Sequence, residues 1–403
     1  MKPSSYIRMS VYYLLFYTTV AVFAPYFNLY LTTRGLSSSQ VGIVLAVMPL
    51  VGLVVQPMWG IFTDWFRWRK GTVYVGLIVC PLLVLTFPLL HGFFPYVVVA
   101  ALIAAFQTGL IPVMDSMTVF NAGARNYGKV RLFGSLGYAI TVGIAGRLYH
   151  EGNVSTIVPL YVIAAAMALV GLLLYPKADM EAPVTVSGKR TLSPFSGIGK
   201  LVQNRRFVWL LVFTLLVSIS TQMNSNFFTL YYSGLHRPLG LLGLIYSFGA
   251  FSELPFFFIS GRWIERYGAE RMMLLASSVF LFRWLILAFG PPTWVLFCLQ
   301  LLHGLSFGIS FAAGVAVASQ FSEVSNRTTA QTVYSAVNVG LAAMIASALG
   351  GVVLQAFGPR TLYACSTVVS AVGVLGMIGL LRVMRKHGQF DNAPSVQAAE
   401  TRD

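Results

Sequence analysis

This chain has little charge. Only 12 Asp and Glu and 27 Lys and Arg occur among 403 residues, 10% charged in all, where a soluble globular domain carries about 25%. So few ions cannot clothe a water-exposed surface of this size, so most of the surface must face lipid. Cysteine is scarcer still, with three residues. Cys80, Cys298 and Cys365 stand singly inside apolar segments and share no metal-ligand spacing, which argues against a zinc or redox role. There is no Gly-x-x-x-x-Gly-Lys phosphate loop, no His-Glu-x-x-His and no cluster of aspartates in a basic loop. Nothing marks an enzyme, and no metal or cofactor is expected.

What the chain has is apolar length: 57% of its residues are hydrophobic and the mean hydropathy is +0.76. A net charge of +15 would suit nucleic acid. The basic residues, however, lie in the short breaks between apolar runs and not along a helix face. That is the pattern of loops beside anionic lipid, so the expected partner is the bilayer and not nucleic acid.

A helix needs roughly 20 apolar residues to cross the hydrocarbon, and its backbone must be satisfied internally. Twelve runs qualify, over 8–31, 40–63, 72–91, 95–119, 130–150, 156–175, 207–232, 239–262, 271–290, 293–318, 331–356 and 360–381. The expected fold is an all-α membrane protein of twelve transmembrane helices. Met1-Lys2-Pro3 through Arg8 precedes a run longer than a signal-peptide core and reads as a retained first helix.

Orientation follows from Lys and Arg. With the N-terminus inside, the outside segments hold only Arg34, Arg147, Arg237 and Arg360, and Arg283 falls within a helix. The remaining basic residues are inside, which puts both termini in the cytoplasm of a cell-membrane protein. The longest internal polar stretch divides six helices from six. The expected organisation is an N-terminal half over 1–175, a cytoplasmic linker over 176–206, a C-terminal half over 207–386 and a disordered tail over 387–403.

The two halves repeat. Gly60-Ile-Phe-Thr-Asp64-Trp-Phe-Arg67-Trp-Arg69-Lys70 matches Gly261-Arg-Trp-Ile-Glu265-Arg266-Tyr-Gly268-Ala-Glu-Arg271 at an offset of 201 residues, which also pairs Gly42 with Gly243. Glycine lets a neighbouring helix approach. A carboxylate beyond a helix end can face the positive N-terminus of another helix, and the basic residues anchor the loop. Gly60, Asp64, Arg67, Lys70, Gly261, Glu265 and Arg266 therefore read as a gating latch between halves.

Charge inside the membrane is rarer still. Asp115 and Glu253 are the acids well inside apolar helices, and Arg283 is the base so placed. Each costs at least ~2.5–3.5 kcal/mol on insertion scales, so such residues usually face a cavity. Glu253 lies roughly 21 Å along its helix, Arg283 roughly 18 Å and His303 roughly 15 Å at ~1.5 Å per residue, all near mid-membrane. Gln222, Asn224 and Asn226 put amides in the seventh helix, where they could bond a solute or glue helices together. Gly134, Gly137, Gly304 and Gly308 read as close-packing positions.

The Gly-x-x-x-Asp loop with its basic residues resembles that between helices two and three of the major facilitator superfamily. Ala24-Pro25-Tyr26-Phe27, Gly42-Ile43, Gln56-Pro57 and above all Tyr127-Gly128-Lys129-Val130-Arg131-Leu132-Phe133-Gly134-Ser135-Leu136-Gly137-Tyr138 resemble its lactose-permease-like branch, which includes proton symporters of sugars and nucleosides. The resemblance implies a fold of two six-helix halves, with Arg131 and Asp115 as solute-bonding residues and Tyr138 as a stacking platform where the family has Trp. Arg283 and His303 are implied in proton coupling and affinity, and the intramembrane acid beside them, Glu253, or else Asp115, is the expected proton carrier. Ser306 stands where the family has its proton-carrying Glu, and Glu253 where it has a sugar-contacting Asn.

The expected function is secondary active transport of a small polar solute, a sugar or nucleoside, by proton symport and alternating access in a monomer. Asp115, Arg131, Tyr138 and Asn224 are the candidate substrate residues. The alternative on the same fold is drug or metabolite efflux by proton antiport.

Overall fold

In a computed structural model of the chain, the residues described are 3–66, 68–149, 154–176, 201, 203–320 and 327–386. The expected linker falls largely outside them, as do the tail, Arg67 and the side chain of Asp64. Every regular element among the described residues is helical. In chain order they are α1 (Pro3–Phe23), α2 (Phe27–Thr33), α3 (Ser38–Trp65), α4 (Arg69–Leu85), α5 (Phe93–Gln107), α6 (Leu110–Ala122), α7 (Ala124–Leu148) and α8 (Ile157–Leu174). The second half brings α9 (Arg205–Gly234), α10 (Leu239–Tyr267), α11 (Ala269–Ala288), α12 (Thr293–Gln320), α13 (Arg327–Ser335), a π-helical turn (Ala336–Leu341) and α14 (Ala342–Lys386).

Among the described residues ten stretches are long and apolar enough to cross a membrane. The fifth expected span, 130–150, is α7, which begins earlier and carries Lys129, Arg131 and Arg147; it is not among the ten. The last of the ten, Thr329–Val383, is 55 residues long. A rod of that length rises about 82 Å, more than twice the ~30 Å of hydrocarbon. It is broken at Gly358, whose φ of 81° ends one helix where Pro359 starts the next. The first expected span is also divided. Pro25 has no N–H to continue the ladder, and the chain re-forms a helix at Phe27.

Isoleucine, leucine, valine and phenylalanine at Ile61, Val170, Leu173, Phe258, Val368 and Leu375 are all exposed. A soluble protein of this size does not leave so much apolar surface in water; a lipid-facing one must. The polar atoms turn inward or cap. Ser37 and Gln40 form a reciprocal capping box at the start of α3, and the Asn204 side chain accepts from Arg206 and Phe207 at the start of α9.

The halves meet at one end of the bundle. There α3 packs on α14, and α7 on α10. A Cβ on Gly42 would lie 3.0 Å from Gly351 Cα and nearer still to the Ser347 carbonyl oxygen. A Cβ on Gly243 would lie 2.8 Å from Gly146 Cα and nearer to the Val142 carbonyl. Gly42 and Gly243, paired by the sequence repeat, thus make equivalent backbone-to-backbone crossings. Asn28 Nδ2 donates to the Asn226 carbonyl at 2.6 Å, the Thr229 hydroxyl to the Pro25 carbonyl, and the Ser39 N–H to Gln355 Oε1 at 3.0 Å. The repeat also shows in the turns. Gly35 and His236, 201 residues apart, both have positive φ, at 87° and 55°.

The other end is open. Gly60 and Gly261 are exposed, and nothing lies within 4 Å of a Cβ built on either. The close approach expected at these two glycines is absent here, because the ends of α3 and α10 that carry them stand apart from any neighbour.

Candidate functional site

A cavity of about 870 Å³ runs in from the open end. Its walls are the second half of α3, from Met48 to Thr63, the α5–α6 junction from Thr108 to Ser116, Val315 of α12, and Gln331 to Ala343 across the π-helical turn. A smaller cavity of about 220 Å³ shares Met48, Pro49 and Ala343 with it and ends beneath the closed crossings. Gln107, Gln222 and Asn226 bring three amides to that inner cavity, beside Phe23 and Phe27. Asn226 Nδ2 donates to Ser347 Oγ at 2.7 Å, and Gln222 Nε2 to the Val339 carbonyl at 3.3 Å. Val339 lies in the π-helical turn, where the extra residue per turn disturbs the regular hydrogen-bond ladder.

Asn224, expected at the solute, faces elsewhere. Its Oδ1 accepts from Tyr363 Oη at 2.8 Å, a contact between α9 and α14. Successive residues on a helix are 100° apart, so the amides two positions either side line the cavity while Asn224 joins helices.

Asp115 on α6 and Arg131 on α7 are both half-buried. Tyr13 Oη donates to Asp115 Oδ1 at 2.7 Å. The Arg131 guanidinium lies 4.2 Å from the centre of the Tyr17 ring, within the range of a cation–π contact. Tyr13 and Tyr17 are one helical turn apart on α1, with rings inclined by 18° and centroids 6.3 Å apart. Tyr138, two turns beyond Arg131, packs against both of the large apolar clusters of the bundle.

In the second half, Glu253, His303 and Arg283 come together from α10, α12 and α11. Glu253 Oε1 is 3.1 Å from His303 Nε2, and His303 Nδ1 is 3.1 Å from Arg283 Nη1. A guanidinium only donates, so Nδ1 accepts and the proton sits on Nε2, aimed at the carboxylate. Arg283, only 2% exposed, also donates to Ser306 Oγ at 3.2 Å and lies 5.1 Å from the Trp284 ring. Ser306 is thus a neutral acceptor on the same guanidinium nitrogen that meets His303. Gly304 makes the assembly possible: a Cβ there would overlap the Ser252 backbone, and its N–H donates to Ser252 Oγ at 3.0 Å. Gly134, Gly137 and Gly308 are likewise in close contact with neighbouring helices.

Of the expected latch residues, Arg67 and the side chain of Asp64 lie outside the described residues. Glu265 and Arg266 are exposed, with Arg266 5.3 Å from the Tyr267 ring, and Lys70 Nζ donates to the Tyr175 carbonyl within its own half at 3.1 Å. Among the described residues no group of three or more His, Cys, Asp or Glu could hold a metal ion.

Tyr13, Tyr17 and Gln107 were not singled out from the sequence. The two tyrosines are lost among 19 Tyr and 30 Phe. Their one signal is spacing, since residues four apart share a helix face.

A family model described as the MFS_1 like family matches residues 6–365. The chain is 30% identical over 381 residues to a maltose permease of Geobacillus stearothermophilus, covering 94% of this chain and 95% of the permease. It is 25% identical over 308 residues to a lactose permease of Klebsiella oxytoca, covering 70% and 72%. The crystal structure of the nucleoside transporter NupG superposes with a TM-score of 0.79 at 15% identity, covering 96% of this chain and all of that one.

Proposed function

The chain belongs to the MFS_1 like family, within the major facilitator transporters, and from this we propose that it carries a hydroxylated solute, a sugar or a nucleoside, into the cell with protons. It is a multi-pass membrane transporter. The maltose permease similarity over nearly the whole chain favours a disaccharide, and the cavity of about 870 Å³ lies within the ~300–1,000 Å³ of ordinary small-molecule sites.

The observation that carries the reading is the shape of the cavity. It is open at one end, sealed at the other by two glycine crossings, and lined at its inner tip by amides. Amides that donate and accept suit hydroxyl groups. The open end bears the basic loops, so the positive-inside bias makes it cytoplasmic and the conformation inward-facing. The topology is twelve crossings with both termini inside. Counting α7 as a crossing and dividing the 55-residue stretch at Gly358 raises the ten apolar stretches to twelve. The halves, 1–175 and 207–386 joined by the 176–206 linker, rock about the central site. The protein acts as a monomer in the cell membrane.

Gln107, Gln222 and Asn226 are assigned to the solute by the cavity they line; Asp115, Arg131 and, as an aromatic wall, Tyr138 are assigned to it by the resemblance of their motif. Glu253 is assigned to the proton. When Glu253 is ionised, His303 donates to it and Arg283 supplies a positive charge beyond. Protonation removes the negative charge from that line and favours a different arrangement of α10 against α11 and α12. Gly60, Asp64, Arg67, Lys70, Gly261, Glu265 and Arg266 are assigned to a gating latch between the halves at the open end.

The test is uptake of labelled maltose and of uridine into vesicles under an imposed gradient, acid outside. Accumulation of either solute that collapses with a protonophore supports the reading. Expulsion of preloaded solute under the same gradient, or accumulation of neither, overturns it.

A further inference from the structure

We propose that Tyr13 and Tyr17 are positioning residues that hold Asp115 and Arg131 apart, so that a hydroxyl-bearing solute, and not the opposite charge, completes each of them; the role in binding rests on the assignment of these two charges to the solute.

The two charges do not pair with each other. Asp115 takes its hydrogen bond from Tyr13, and Arg131 rests on the face of Tyr17. The near-parallel rings of Tyr13 and Tyr17 stand side by side along the same face of α1. The order is therefore carboxylate, phenol, phenol, guanidinium. Away from water an acid and a base attract far more strongly than they would in bulk solution. An empty site containing both tends to close on itself, and a solute must then break an ion pair in order to bind. The tyrosines remove that competitor. Tyr13 satisfies one carboxylate oxygen, and Tyr17 offers the guanidinium a π face in place of an anion.

The surroundings are built for this. Tyr13 is fully buried and Tyr17 nearly so, so neither ring is free to swing aside. Gly134, one turn after Arg131, makes room for Tyr17. A Cβ at Gly134 would come 2.6 Å from Tyr17 Cδ2 and 3.0 Å from Arg131 Nη1. The Tyr17 hydroxyl is buried with no hydrogen-bond partner. A buried hydroxyl left unpaired is costly, and a solute hydroxyl arriving between the charges would relieve that cost.

Two readouts on the purified full chain test the idea. The first needs no solute. A hydrophobic carbodiimide modifies carboxyl groups, and one held by a guanidinium resists it; modification of Asp115 is quantified by mass spectrometry. Tyr17→Leu removes the spacer, and labelling is expected to fall at least fivefold as Arg131 reaches Asp115. Tyr17→Phe keeps the ring and should label like wild type. Gly134→Ala, which pushes Tyr17 aside from the other helix, should reproduce the fall and carries the test if Tyr17→Leu does not fold. Unchanged labelling in the folded variants overturns the spacer. The second readout is maltose binding, with Kd expected to rise at least fivefold in Tyr17→Leu and the ring-retaining Tyr17→Phe staying nearer wild type. Unchanged maltose affinity alongside lost labelling overturns the role in binding. Wild type that binds neither maltose nor uridine overturns the transport reading and the role in binding, while the labelling result still decides the spacer.

Discussion

Replacing Gly42 with leucine should push the transporter out of the conformation described here. A Cβ at this position would lie 3.0 Å from Gly351 Cα and closer to the Ser347 carbonyl, where ordinary contact begins at 3.4 Å. Even alanine therefore requires α3 and α14 to part by roughly 1 Å, and packed interiors resist such shifts. Overpacking of this kind costs about 1–3 kcal/mol. The strain exists only while the crossing is closed, so the equilibrium between open and closed should move by about 5- to 150-fold. Gly243→Leu meets Gly146 and Val142 at the other crossing and should act similarly. The two crossings involve different helices, so the double variant should shift the equilibrium by roughly the sum of the two free energies. The assay is alkylation of a cysteine at Gln107, which lines the inner cavity just below the crossings, with Cys80, Cys298 and Cys365 replaced. A membrane-impermeant maleimide is added from the sealed side. Labelling should rise at least fivefold in Gly42→Leu. A folded variant whose labelling matches its parent would show that the glycine crossings are not the barrier, and the account of the sealed end would fail.

Three further outcomes follow from the polar contacts. Glu253→Gln keeps an acceptor for His303 but leaves the buried Arg283 without its carboxylate; concentrative uptake should be lost while solute exchange survives, measured as counterflow in vesicles, and full accumulation would exclude Glu253 as the proton carrier. Asn224→Ala should lower thermal stability, because it strips the partner from Tyr363 Oη and an unsatisfied buried group costs ~1–3 kcal/mol, while leaving solute affinity as it was. Gln222→Ala should do the reverse, raising Kd by roughly 2- to 10-fold for one net hydrogen bond of ~0.5–1.5 kcal/mol; equal effects of the two changes would contradict the facing assigned to α9.

Much of the architecture was readable because lipid makes a single demand. Each apolar run must satisfy its own backbone, so long runs become helices whatever their neighbours do. The repeat at an offset of 201 was equally readable, and the paired glycines Gly42 and Gly243 occupy equivalent crossings. Depth along a helix also follows from sequence, since the rise per residue is constant. That is why Glu253, Arg283 and His303, each placed at mid-membrane by counting, meet in one hydrogen-bonded line.

Azimuth and neighbour choice were not readable in the same way. A helix that is apolar all round carries little periodic signal to say which face looks inward. Asn224 and Asn226 are indistinguishable as letters, yet one bonds Tyr363 and the other lines the cavity. Tyr13 and Tyr17 stand out only because α1 meets Asp115 at one tyrosine and Arg131 at the next, residues about a hundred positions further along the chain. The sequence alone determined that the chain is a bundle of membrane helices with a few costly charges in its interior, because the bilayer acts on each segment separately. Which end is sealed, which amides line the cavity and which rings meet the acid and the base were decided only by how the helices pack, because those properties belong to pairs of segments and to no segment by itself.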